Sequence, residues 1–132
     1  MIHNWKEWNS LNETISPNEL DLLEDYVDRL FKELNLDVKF SRHFRERAND
    51  PRNRPPITTH ELIDLFKRAY EKAGKRISEM PPKAEAVLQD MRTNLNTPFT
   101  IEFDPDKGGL YLVLKTIIRK KDFMTTNNKI VI

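Results

Sequence analysis

Apolar residues recur along this chain at two different spacings, and the change from one to the other divides it. Leu20, Leu23, Val27, Leu30, Phe31 and Leu34 return every three or four positions, with Asp21, Glu24, Asp25 and Asp28 on the other side. That pattern predicts an amphipathic helix over about 16–35. Ser16-Pro17-Asn18-Glu19 opens it as a capping box, with Pro at the first helical position. Val38 and Phe40 flank Lys39 in a short extended piece, and Ser41 caps a second helix to about Asn49. In that helix Phe44 and Ala48 form the buried pair, and His43 and Arg47 form a second pair beside it. Asp50 to Pro56 holds three prolines in seven positions and reads as a loop. Thr58 or Thr59 then caps a third helix to about Ala73. Leu62, Ile63, Phe66, Ala69, Tyr70 and Ala73 point inward, and Gly74 is the stop.

Met80-Pro81-Pro82 breaks the chain again. Lys83 to Met91 has helical propensity, which tertiary context is free to override with an extended conformation. From Pro98 the period drops to two. Phe99, Ile101 and Phe103 alternate with Thr100 and Glu102, residues 104–109 turn the chain, and Leu110 to Arg119 returns as an antiparallel partner. Strict alternation gives this strand a core face of Leu110, Leu112, Leu114, Thr116 and Ile118. Tyr111, Val113, Lys115, Ile117 and Arg119 take the opposite face. After a turn at Asn127-Asn128, residues 129–132 form a short last strand. The expected class is α+β, with N-terminal helices packed on a small C-terminal antiparallel sheet. An acidic helical arm, 1–37, precedes a core, 38–132, in a chain whose 132 residues suit one domain.

Charge changes the picture more than composition does. The formal net charge is only +1. Residues 1–38 nevertheless hold three Lys/Arg against nine Asp/Glu, and residues 39–76 hold eleven against five. An acidic segment followed by a basic one fits internal docking of one on the other. It equally fits one cationic face that attracts nucleic acid. Trp5 and Trp8 read as packing residues that fasten the arm, with base stacking as the alternative. With no cysteine there are no disulfides or thiolate metal sites, which suits a reducing compartment. His3, His43 and His60 lack a metal-ligand spacing, so no metal or other cofactor is expected. No apolar run nears the ~20 residues of a membrane span, and the first residues lack a signal-peptide core, so the expected location is the cytoplasm. Gly-rich phosphate loops and the G-x-S-x-G and H-E-x-x-H motifs are missing, which removes support for ATP-driven, hydride-transfer and metallohydrolase chemistry.

The remaining chemistry lies in two short blocks, Phe40 to Arg47 and Lys115 to Lys121. Metal-free RNA cleavage needs a base for the 2′-hydroxyl proton, cations on the phosphate and an acid for the leaving 5′-oxygen. His43 carries an imidazole, ordinarily of pKa about 6.5, and suits the base or the acid. Arg47 is one helical turn away and its forked guanidinium matches a phosphate. Lys115 and Arg119 are expected on one strand face as further phosphate ligands. Arg52 and Arg54 on the proline loop, with Lys120 and Lys121, would follow the RNA backbone. Tyr111 or His60 would stack on a base, and Thr116 stands next to Lys115. A plainer reading makes His43 a structural histidine beside Phe44, pairs Arg47 with Asp50, and leaves Arg119-Lys120-Lys121 as solvated edge protection.

The block Phe40-x-x-His43-Phe44-x-x-Arg47, followed by Arg52-Asn53, Ile57-Thr58, Glu61-Leu62 and Leu65-Phe66, resembles the helical half of the barnase/EndoU/colicin/RelE-like ribonuclease superfamily. Asn96 to Phe99 and Lys115 to Phe123 resemble the end of small, functionally uncharacterised proteins of tailed phages. Together the resemblance spans residues 38–132 and implies a RelE/barnase-like fold, a toxin-like phage protein and transesterification to a 2′,3′-cyclic phosphate. His43 would be base or acid, with Arg47, Lys115 and Arg119 as phosphate ligands. Many active members carry a Ser, Thr, Tyr or second His on a late strand. Only Thr116 matches, and alternation turns it toward the core. Two functions follow: an RNA-binding endoribonuclease (a hydrolase in the broad sense) in the host cytoplasm, or a non-enzymatic phage protein binding a host or phage protein. In the second, the acidic helix 16–35 would be the partner face. An enzyme is expected to show His43 within reach of Arg47, Lys115 and Arg119 around one open concavity, and buried or scattered side chains would favour the second function.

Overall fold

The computed structural model describes residues 15–132, so Trp5, Trp8 and the start of the acidic arm lie outside the described residues. Helix α1 spans Pro17–Lys32 behind the Ser16/Glu19 capping box and buries Leu20, Leu23, Val27 and Phe31. It ends where Asn35 adopts a left-handed conformation, φ 61°, a role that Asn tolerates better than most residues. Strand β1 follows (Leu36–Phe40), then the six-residue helix α2 (Arg42–Arg47) with Ser41 as its cap. Helix α3 (Thr59–Ser78) starts at a second capping box, Thr58 with Glu61. It does not stop at Gly74. A Cβ there would sit 2.9 Å from Leu34 Cδ1, so glycine lets the chain after α1 pack closely against α3. Inside α3 the buried set includes Leu65 and Ile77, and the expected inward Ile63 is exposed.

Lys83 to Met91, where helix and strand were both open, supplies strand β2 (Glu85–Asp90). It lies between β3 (Leu95–Asp104) and β6 (Asn128–Val131), and the bonds to two neighbouring strands outweigh a propensity worth tenths of a kcal/mol per residue. With β4 (Gly109–Leu114), the strand order is β1-β4-β3-β2-β6. The class is α+β. The central β2-β3-β4 pairs are antiparallel as expected, and β1 and β6 add at the two edges in parallel. Helices α1 and α3 cover one face, where Leu36, Val38, Phe99, Ile101, Leu112 and Leu114 complete one apolar core. Phe103 ends the β3 alternation exposed.

The acidic and basic segments do dock on one another. Strand β1 is a sheet edge, and the donors it turns away from β4 are met by α1: Val38 N–H donates to Asp28 (2.8 Å) and Phe40 N–H to Glu24 (2.7 Å). Arg45 bridges back to Asp21 and Glu24. Carboxylates on α1 thus cap an edge that would otherwise invite pairing with another chain. Among the described residues, no helix is long and apolar enough to cross a membrane.

One irregularity decides the site. Leu114 pairs with Phe99, yet Ile118 pairs with Asn96. Three residues, Lys115 to Ile117, therefore face two, Thr97 and Pro98, before the chain resumes as β5 (Ile118–Arg119). This is a one-residue β-bulge, and it inverts the alternation beyond it. Ile117, expected outward, is buried in the core, and Thr116, expected inward, is displaced from it.

Candidate functional site

Helix α2 is too short to be stable alone, and its aromatic packing holds it. The Phe44 ring lies 4.5 Å from Phe40 and 6.3 Å from Phe66, which ties the helix to β1 and α3. With Phe44 inward, His43 and Arg47 share the neighbouring side and face the bulge. Asn53, almost fully buried, closes the other side. Its Nδ2 donates to the Arg47 carbonyl (2.8 Å) and its Oδ1 accepts from Arg119 N–H (2.8 Å). One side chain thereby joins the end of α2 to β5.

The result is a hollow of about 280 Å³ lined by His43, Arg47, Asp50, Arg52, Thr116 and Phe123, among others. Arg47 Nη1 donates to Asp50 (2.7 Å), and Arg52 holds the same carboxylate through Nε (3.1 Å) and Nη2 (3.0 Å). Two guanidinium groups share one carboxylate, so a positive charge remains, and Arg47 has donors left for an incoming anion. His43 is exposed and makes no hydrogen bond or ion pair with any described residue, unlike a structural histidine. His43 and Thr116 also line a wider adjoining groove of about 600 Å³ with Ser41, Glu85, Glu102 and Lys115. These two residues stand on the ridge between the concavities.

Two of the four expected phosphate-site residues are elsewhere. Lys115 lies in the adjoining groove, where its Nζ pairs with Glu85 (2.9 Å) and Glu102 stands nearby, so that groove is acidic on balance. Arg119 is turned inward by the bulge, and its side chain is 8% exposed. Nε donates to the Pro55 carbonyl, Nη2 to those of Pro56 and Glu61 Oε1, and Nη1 to the Thr93 carbonyl and Glu61 Oε2. All five donors are used, and none is left for phosphate. Burial pushes the Glu61 carboxyl pKa up, but hydrogen bonds from Arg119 and Thr58 outweigh it and hold the group below the usual range. Arg119 is a latch between the proline loop, the start of α3 and the β2–β3 turn. Periodicity cannot reveal this, because the inversion depends on one inserted residue.

Arg54 lines a separate hollow with Pro51 and Pro56. His60 is exposed on the first turn of α3, and Tyr111 sits on β4 opposite Glu102 and Asp37, so neither borders the His43 hollow. Lys120 and Lys121 border another concavity beyond β5. Asn53 and Phe123 complete the His43 hollow although the sequence pattern does not single them out as site residues. Their signals were a side-chain amide inside a proline loop and an aromatic directly after a basic run. Comparison of the chain with protein-family models, curated proteins and solved structures finds no match.

Proposed function

We propose that the protein binds RNA over the His43 hollow and cleaves it without a metal, as a phage-encoded, toxin-like endoribonuclease with a RelE/barnase-like fold acting on transcripts in the host cytoplasm. One observation carries this reading: an exposed, unpaired imidazole and the Thr116 hydroxyl, from chain-distant elements, border a hollow holding two guanidinium groups. Arg47 and Arg52 receive the phosphate, Thr116 orients it, and the Phe123 ring offers a face to a base. His43 takes the 2′-hydroxyl proton, and the 2′-oxygen bonds to phosphorus. The bond to the 5′-oxygen breaks, and water protonates the leaving oxygen. The products are a 2′,3′-cyclic phosphate and a 5′-hydroxyl end.

The test is incubation of purified protein with cellular RNA in EDTA, wild type beside His43→Ala and Arg47→Ala. Loss of the base is expected to slow cleavage by about 100-fold or more, and loss of Arg47 by a similar factor. Cleavage unchanged in both variants removes the site. A second reading is favoured by the diversion of Lys115 and Arg119 into internal ion pairs. Here the hollow docks an anionic group of a partner protein and cuts nothing. Binding that survives with no cleavage product from any RNA selects it.

A further inference from the structure

The segment 118–123 has a hollow on either side. Ile118 and Phe123 border the His43 hollow, and Lys120, Lys121 and Asp122 border a second one of about 230 Å³. Lys129, from β6, completes a rim of three ammonium groups. Among the described residues none of the three makes an ion pair, so their charges are open to a ligand. Of the two carboxylates present, Asp90 is fully buried and held by Arg68, which leaves Asp122 against three cations.

The floor is polar and buried. Asn96 Nδ2 donates to the carbonyls of Asn94, Ile118 and Lys120, which fixes its Oδ1 toward Gln89, and Gln89 Nε2 donates to it (3.1 Å). That network orients the Gln89 amide, and its Oε1 is left without a partner among the described residues although the residue is only 9% exposed. A buried acceptor beneath a cationic rim suits a ligand that carries an anion and an N–H donor together, as a nucleotide does.

We propose that this hollow is a second nucleotide subsite, so that single-stranded RNA crosses the 118–123 segment and is held on both sides of it. The proposal rests on the RNA-binding reading above and adds its length requirement. The phosphate meets Lys120, Lys121 and Lys129, and the base presents an N–H to Gln89 Oε1.

The experiment measures fluorescence-anisotropy binding of a dinucleotide and a hexanucleotide of RNA to the full chain across a salt series. Wild type is expected to gain affinity with length, and Lys120→Ala/Lys121→Ala/Lys129→Ala to lose about tenfold of that gain. Its salt dependence for the hexanucleotide should be shallower by about 0.7 in log–log slope, from one single-strand phosphate contact. The triple Arg variant is expected to keep the gain, which separates charge from any disturbance of folding. A length gain and slope equal to wild type in the Ala variant overturn the subsite, as does inorganic polyphosphate binding as tightly as the hexanucleotide. Failure of the cleavage reading shows separately, as RNA cutting indifferent to His43→Ala.

Discussion

Replacing Arg119 by Ala removes five hydrogen bonds at once, two of them to the Glu61 carboxylate. Breaking a fully buried ion pair costs about 3–5 kcal/mol, because the remaining charge is stranded. Glu61 is softer than that limit, since its side chain is 26% exposed and it still accepts from Thr58. The carbonyls of Pro55, Pro56 and Thr93 add to the loss. A cost of about 3 kcal/mol follows, a large share of the 5–15 kcal/mol that holds a typical domain. Urea unfolding followed by far-UV circular dichroism should show a midpoint lower by about 2 M, taking a slope of about 1.5 kcal/mol/M. Arg119→Lys keeps a charge but not the fork, and is expected to recover less than half. Because the folded Glu61 pKa is depressed, its contribution is present above the unfolded value of about 4.3 and disappears as pH falls through the lower folded value. The gap between wild type and Arg119→Ala should therefore narrow below about pH 4. Stability within about 0.5 kcal/mol of wild type, together with lost RNA affinity, refutes the latch and returns Arg119 to the ligand site.

Asn53→Ala strands the Arg119 N–H and leaves the Arg47 carbonyl only its bond from the Asp50 N–H (3.0 Å); about 2 kcal/mol and roughly 6 °C in Tm should be lost, read by thermal melting. An unchanged melt would mean that α2 and β5 are held together by something else. Glu24→Ala/Asp28→Ala uncaps the outer donors of β1 and should cost about 2–3 kcal/mol while promoting self-association, seen by light scattering. Glu24→Gln/Asp28→Asn keeps the acceptors, and scattering as strong as in the Ala pair would show that charge alone protects the edge.

The elements legible in the sequence are those decided within a few residues. The Ser16/Glu19 capping box and the Ser41 cap announce their helices because cap and partner lie three positions apart, and the structure settles the choice of Thr58 over Thr59 with a second box of the same spacing. The stripe on α1, the Phe44–Ala48 pair and the turn between β3 and β4 are legible for the same reason. His43 and Arg47 share a hollow because a helical turn places them on one side whatever surrounds it. Pairing partners were not legible. The extended fate of β2 depends on β3 and β6, and the close approach of Leu34 to Gly74 joins residues forty positions apart in the chain. The bulge at Lys115–Ile117 sent Thr116 to the hollow and Arg119 into the structure, because a strand's two faces exchange whenever one residue is inserted. Local chemistry in the chain thus determined which segments are helical and where a histidine and an arginine would meet. Which cations join them is set by strand register, a relation between distant segments that only the packed molecule defines.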